Sequence, residues 1–121
     1  MDPSFGNYIR KKRLELLRQN GAFTLRRVAQ AIKVQPSFIS KVEHGVVLPS
    51  EGKIVELAGV LREDPDVLLA MVGKVTRELR AIITKRPTLF GQLIRLLKDT
   101  PDHIVLRVVQ EVQEWKKQSL F

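Results

Sequence analysis

TLRRVAQAIKVQPSFISKVEHG, residues 24–45, is the most informative stretch of this 121-residue chain. Its spacing predicts two short helices, over residues 24–32 and 36–44, joined by a tight turn. Thr24 suits the N-cap of the first, because its hydroxyl can accept an unpaired amide of the opening turn. Leu25, Val28, Ala29 and Ile32 recur at helical spacing and define a buried face. In the second helix Ile39 and Val42 point inward, while Ser37, Phe38, Ser40 and Lys41 stay outside. So much polar, small and basic surface makes poor core material.

Further residues extend the pattern on both sides. Phe5-Gly6, Ile9-Arg10 and Arg13 precede it. Within it stand Thr24-Leu25-Arg26-Arg27-Val28-Ala29 and Ser37-Phe38-Ile39-Ser40-Lys41-Val42-Glu43, with Gly45 after them and Pro49-Ser50 beyond. As an ordered set, from about residue 5 to residue 72, they resemble the phage-repressor (Xre-type) helix-turn-helix family. In a helix-turn-helix the second helix enters the DNA major groove. The resemblance implies an all-α fold, with a five-helix repressor-like DNA-binding domain containing the helix-turn-helix. It also implies that Arg13 pairs with Glu43 across that domain, in preference to a phosphate contact by Arg13.

Four departures from the family pattern stand out. Lys33 occupies a turn position where many relatives have Gly in a left-handed backbone, at a cost of about 1 kcal/mol if that conformation is kept. Gln35 replaces the commoner Ser or Thr cap, and Pro36 compensates by sitting where no amide hydrogen is needed. Leu25 replaces a Gln. Val46, Val47 and Leu48 replace residues that often touch the DNA backbone, and are expected to pack or to meet a partner.

Charge points the same way. The net charge is +8, with a pI near 10.2. Residues 1–50 hold nine Lys/Arg against three Asp/Glu, or +6, and residues 51–121 hold twelve against ten, or +2. An excess gathered around the 24–45 stretch favours an anionic partner such as nucleic acid. Any single lysine, including Lys11, Lys12 and Lys53, is better explained as solvated surface. The absence of cysteine excludes disulfides, thiolate metal sites and a thiol nucleophile, and fits a reducing cytoplasm, the expected location. The longest apolar run, residues 67–73, is too short to span a bilayer, and MDPSF lacks the order of a signal peptide.

Other helices are legible from their apolar spacing. A first helix over residues 5–20 offers Phe5, Ile9, Leu16 and Leu17 to the core, with Leu14 at the edge, and Gly21 is its expected stop. Ser50 caps a fourth helix that buries Ile54, Val55, Leu57, Ala58 and Leu61, and its Gly59 is expected to mark close helix approach. Asp64-Pro65 opens a fifth, with Val67, Leu68, Met71 and Val72 inward and Gly73 at its end. Residues 74–121 form an extension of about three further amphipathic helices, over 75–85, 88–98 and 101–118. Their apolar stripes must fold back or pair with another chain.

The expected roles follow from placement. Gln35, Pro36, Ser37, Phe38 and Lys41 are candidates for base contact, with Lys41 able to donate to guanine and Phe38 equally explained by packing on the turn. Thr24, Arg26, Arg27, Ser40 and His44 are candidates for phosphate contact, His44 also being a favourable cation at a helix end. Ile104, Val108, Val112 and Trp115 are expected to line a two-fold interface. No catalytic constellation, metal-ligand spacing or cofactor motif is present, so an enzyme is not expected. The expectation is a homodimeric, sequence-specific regulator of transcription, acting as a repressor on double-stranded DNA. Its alternative is a protein-interaction module on the same scaffold, an antagonist of a regulator or an antitoxin.

Overall fold

The structure, a computed structural model, describes residues 3–119, with side chains from Phe5 onward. Met1 and Asp2, the first two residues of the MDPSF stretch, lie outside the described residues. Among the described residues there are eight α-helices and no strand. They are α1 (Pro3–Gln19), α2 (Leu25–Ala31), α3 (Pro36–Glu43), α4 (Glu51–Leu61), α5 (Pro65–Met71), α6 (Arg77–Lys85), α7 (Pro87–Leu97) and α8 (Asp102–Ser119). The chain divides into two compact units, residues 1–76 and 77–121. The division falls three residues beyond Gly73.

In the first unit α1 buries Phe5, Ile9 and Leu16, while Leu14 and Leu17 are only half-buried. Gly6 lets α1 lie against the end of α3: a Cβ there would meet the carbonyl oxygens of Val42 and Glu43, the latter at 2.6 Å. Asn20, not Gly21, ends the helix. Its amide donates to the Leu16 carbonyl at 3.0 Å, and its side chain accepts from the Ala22 amide at 2.9 Å. That cap starts a 3-10 turn, Gly21–Phe23, which delivers Phe23 to the core. The connection between α1 and α2 is therefore a packed element and not a slack loop.

Helices α2 to α5 all finish in the same way. A residue in the left-handed region follows each one, namely Lys33, Gly45, Arg62 and Gly73, with φ of 58°, 75°, 60° and 76°. Two reverse hydrogen bonds close each end, such as Val34 amide to Ala29 carbonyl at 3.0 Å and Val46 amide to Lys41 carbonyl at 2.8 Å. This Schellman closure satisfies carbonyls that the helix itself cannot. Lys33 thus adopts the left-handed conformation that favours glycine.

Among the described residues all fifteen buried apolar ones lie between Phe5 and Leu69, so this unit holds its own core. Each large aliphatic among them contributes on the order of 1.5–3 kcal/mol. Three expectations need correction. Val55 and Val67 are exposed, because each lies just off the arc that faces the core, and Leu69 takes the place given to Val67. Gly59 is exposed with open space around its Cβ position, so it marks no close approach. Lys53 is not a free surface charge: its ammonium donates to the Ile32 carbonyl at 2.6 Å and pairs with Glu56 at 2.9 Å. Lys12 likewise pairs with Glu63 at 3.4 Å. Tyr8 donates to the same carboxylate at 3.0 Å. That hydrogen bond, with burial and the charges of Glu63 and Glu15, raises the phenol above its ordinary value of 10.0.

Candidate nucleic-acid interface

Helix α3 is held from behind by one ion pair. Arg13 on α1 donates from Nε to Glu43 Oε2 at 2.7 Å and from Nη2 to Oε1 at 3.0 Å, and its Nη1 donates to the Phe23 carbonyl at 3.3 Å. Both residues are buried, at 6% and 4% exposure. A two-pronged bond of this kind fixes rotation as well as distance. Together with buried Ile39 and Val42 it sets which side of α3 faces outward.

The outward side consists of Ser37, Ser40, Lys41 and His44, one contiguous patch at helical spacing, with Ser37, Lys41 and His44 exposed and Ser40 half-buried. Gln35 is the N-cap residue but makes no side-chain cap bond, so its carboxamide is available to an outside partner. Pro36 beside it is exposed. Phe38 is half-buried against the core, which favours the packing role for most of its ring over contact with a thymine methyl. The His44 ring donates from Nδ1 to the Ser40 carbonyl at 2.7 Å in the arrangement that makes this a hydrogen bond. With Nδ1–H so engaged, a neutral ring presents a bare Nε2, and donation to a phosphate requires the imidazolium.

Beside α3, the start of α2 adds Arg26 and Arg27, both exposed. Thr24 is half-buried, and its hydroxyl oxygen accepts the Arg27 amide at 3.2 Å. Its proton is still free to be donated elsewhere. Exposed Lys33 adds a further cation in the turn between the helices. After the closing turn of α3, Val47 packs on the core and Pro49 is buried, but Val46 and Leu48 stay 67% and 39% exposed.

The second unit presents a different surface. None of its described residues is fully buried. Val108 and Val112 line an apolar groove of about 340 Å³ together with Leu93 and Leu97 of α7. Ile104 and Trp115 are not part of that groove; Ile104 is half-buried and Trp115 is 64% exposed. At 3.6 residues per turn all four residues expected at an interface lie on one face of α8, and two of them line the groove. Among the described residues no helix is long and apolar enough to cross a membrane.

Three features of the site are not evident from spacing. The close approach at Gly6 has a weak signal, since a glycine inside a helix is unfavourable without a packing reason. The Phe23 turn has a local signal in its Asn20 cap but no apolar period, and the Lys53 bond to the end of α2 has none, because its partner is distant in sequence. Comparison with curated proteins and with solved structures gives no match. Residues 12–71, which span the C-terminal part of α1 and all of α2 to α5, match the family model of a helix-turn-helix domain, and helix-turn-helix is the fold this part of the chain has.

Proposed function

We propose that this protein is a sequence-specific regulator of transcription that binds double-stranded DNA as a homodimer, with α3 in the major groove. It acts by binding and not by catalysis, as a repressor that occupies its operator. The observation that carries the reading is the Arg13–Glu43 bond, which locks α3 so that Ser37 and Lys41 face outward beside an uncommitted Gln35. In this reading Lys41 donates to guanine O6 or N7, Ser37 and Gln35 contact neighbouring base edges, and Pro36 with the outer edge of Phe38 meets sugar or methyl groups. Thr24, Arg26, Arg27, Ser40 and His44 set the register through phosphates.

The homodimer rests on the second unit. Its apolar groove and the exposed Leu93, Val109 and Val112 belong to a unit without a buried core. A second copy supplies cover, and two-fold symmetry suits a near-palindromic site with half-sites about 10 base pairs apart or a multiple of that. Nuclease protection on genomic fragments tests the reading. A discrete pair of half-sites at such a spacing is the expected result. Uniform, weak protection indifferent to sequence contradicts it, and favours the protein-interaction module, for which exposed Val46 and Leu48 beside α3 are the supporting observation.

A further inference from the structure

The +2 balance of residues 51–121 hides opposed stretches. Residues 51–73 hold two Lys/Arg against five Asp/Glu, or −3, and residues 99–121 hold three against four, or −1. Residues 74–98 hold seven against one, or +6. That equals the excess of residues 1–50 in half the length. It lies wholly outside residues 12–71, which match the helix-turn-helix domain.

On α6 the charge is sorted by face. At 3.6 residues per turn, Arg77, Arg80 and Lys85 fall within an arc of about 140°, with only Ala81 and Thr84 between them. Leu79, Ile82 and Ile83 fill the opposite arc. All three basic side chains are exposed. Among the described residues the salt bridges join Lys12 to Glu63, Arg13 to Glu43, Lys53 to Glu56, Lys74 to Glu51 and Lys117 to Glu114. Arg77, Arg80 and Lys85 take part in none of them. Helix stability accounts for Lys85, a cation in the last turn, but not for the other two. Arg77 and Arg80 stand in the opening turn, where the helix dipole disfavours cations, and like charges three apart repel by a few tenths of a kcal/mol. A local conflict of this kind, with no internal partner, calls for an external anion.

We infer that the Arg77–Arg80–Lys85 face of α6 is a second contact to the phosphate backbone of the duplex, independent of base sequence. The inference rests on the proposal that this protein binds double-stranded DNA. The two contacts have different jobs: α3 selects the site, and the α6 face adds affinity for any duplex through counterion release.

The test uses the full chain in anisotropy titrations between about 50 and 200 mM salt. The probes are a duplex selected from genomic fragments and a shuffled duplex of the same composition. Arg77→Gln/Arg80→Gln/Lys85→Gln is expected to weaken binding to both duplexes by a similar factor, roughly tenfold or more at the lower salt. It should also make the slope of log affinity against log salt shallower by about 1 to 3 per protomer, and leave the ratio between the duplexes unchanged. Arg77→Lys/Arg80→Lys, which keeps the charge, should retain the wild-type slope. Sedimentation of the triple variant should match the wild type.

Wild-type slope and affinity in the triple variant overturn the inference and leave the DNA-binding reading standing. Loss of slope in the charge-preserving variant overturns it too, since the effect is then structural. Phosphatidylglycerol vesicles binding through these residues, with the DNA slope unaltered, would assign the face to a membrane surface. If the wild type binds neither duplex, the underlying reading falls and the inference with it.

Discussion

Lys33 shows how a single residue can carry strain without endangering the fold. Its left-handed backbone is held by the closing hydrogen bonds of α2, and its side chain is exposed. Lys33→Gly should raise stability by about 0.5–1 kcal/mol in urea unfolding, because relief of strain slightly outweighs the added freedom of the unfolded chain. Arg62 is equally left-handed, but its guanidinium lies 5.6 Å from the centre of the Phe23 ring. Arg62→Gly should therefore be near neutral, since losing a cation–π contact of about 0.5–1 kcal/mol cancels the gain. A large gain at Arg62 with none at Lys33 would reverse the account. Arg13 is the opposite case. Arg13→Ala leaves the Glu43 carboxylate buried without its cation and should destabilise by about 3–5 kcal/mol. Arg13→Met/Glu43→Leu should lose much less, and an equal loss in both variants would deny the pair its special role.

Among the elements, those of the first unit were largely legible because each buries one apolar stripe. The helix-turn-helix over residues 24–45 follows from period, caps and proline placement. Ser50 and Asp64 act as caps, accepting the amides of Lys53 and Asp66 at 3.3 and 2.8 Å. Spacing is ambiguous at the edges of stripes: Val55 and Val67 are apolar and near the core arc, and only tertiary packing decides that they face out. The Asn20-capped turn that carries Phe23 follows no helical period, and the Lys53 bond joins residues 21 apart, so spacing names neither. The Arg13–Glu43 bond, thirty residues apart, came from the family resemblance and not from periodicity. Of the candidate site, Gln35, Pro36, Ser37 and Lys41 are exposed, while Phe38 is half-buried against the core.

For the whole molecule, the two units differ in how they bury apolar surface. The first has a core and an outward-facing α3. The second has amphipathic helices with apolar surface still open. If the α7–α8 groove meets a second copy, Leu93→Asp/Val112→Asp should convert a dimer to a monomer in sedimentation while the helical content of the first unit persists. It should also weaken binding to a two-half-site duplex by tenfold or more, but hardly change binding to a single half-site. An unchanged dimer would place the interface elsewhere. The claim beneath all of this is that α3 reads bases. It is tested by the affinity ratio between a selected duplex and its shuffled counterpart, measured for wild type and Lys41→Ala. The account predicts that the ratio falls by roughly tenfold to a hundredfold, the equivalent of about 1–3 kcal/mol of discrimination, with binding to the shuffled duplex little altered. A ratio unchanged by Lys41→Ala, or lost equally on both duplexes, would contradict it.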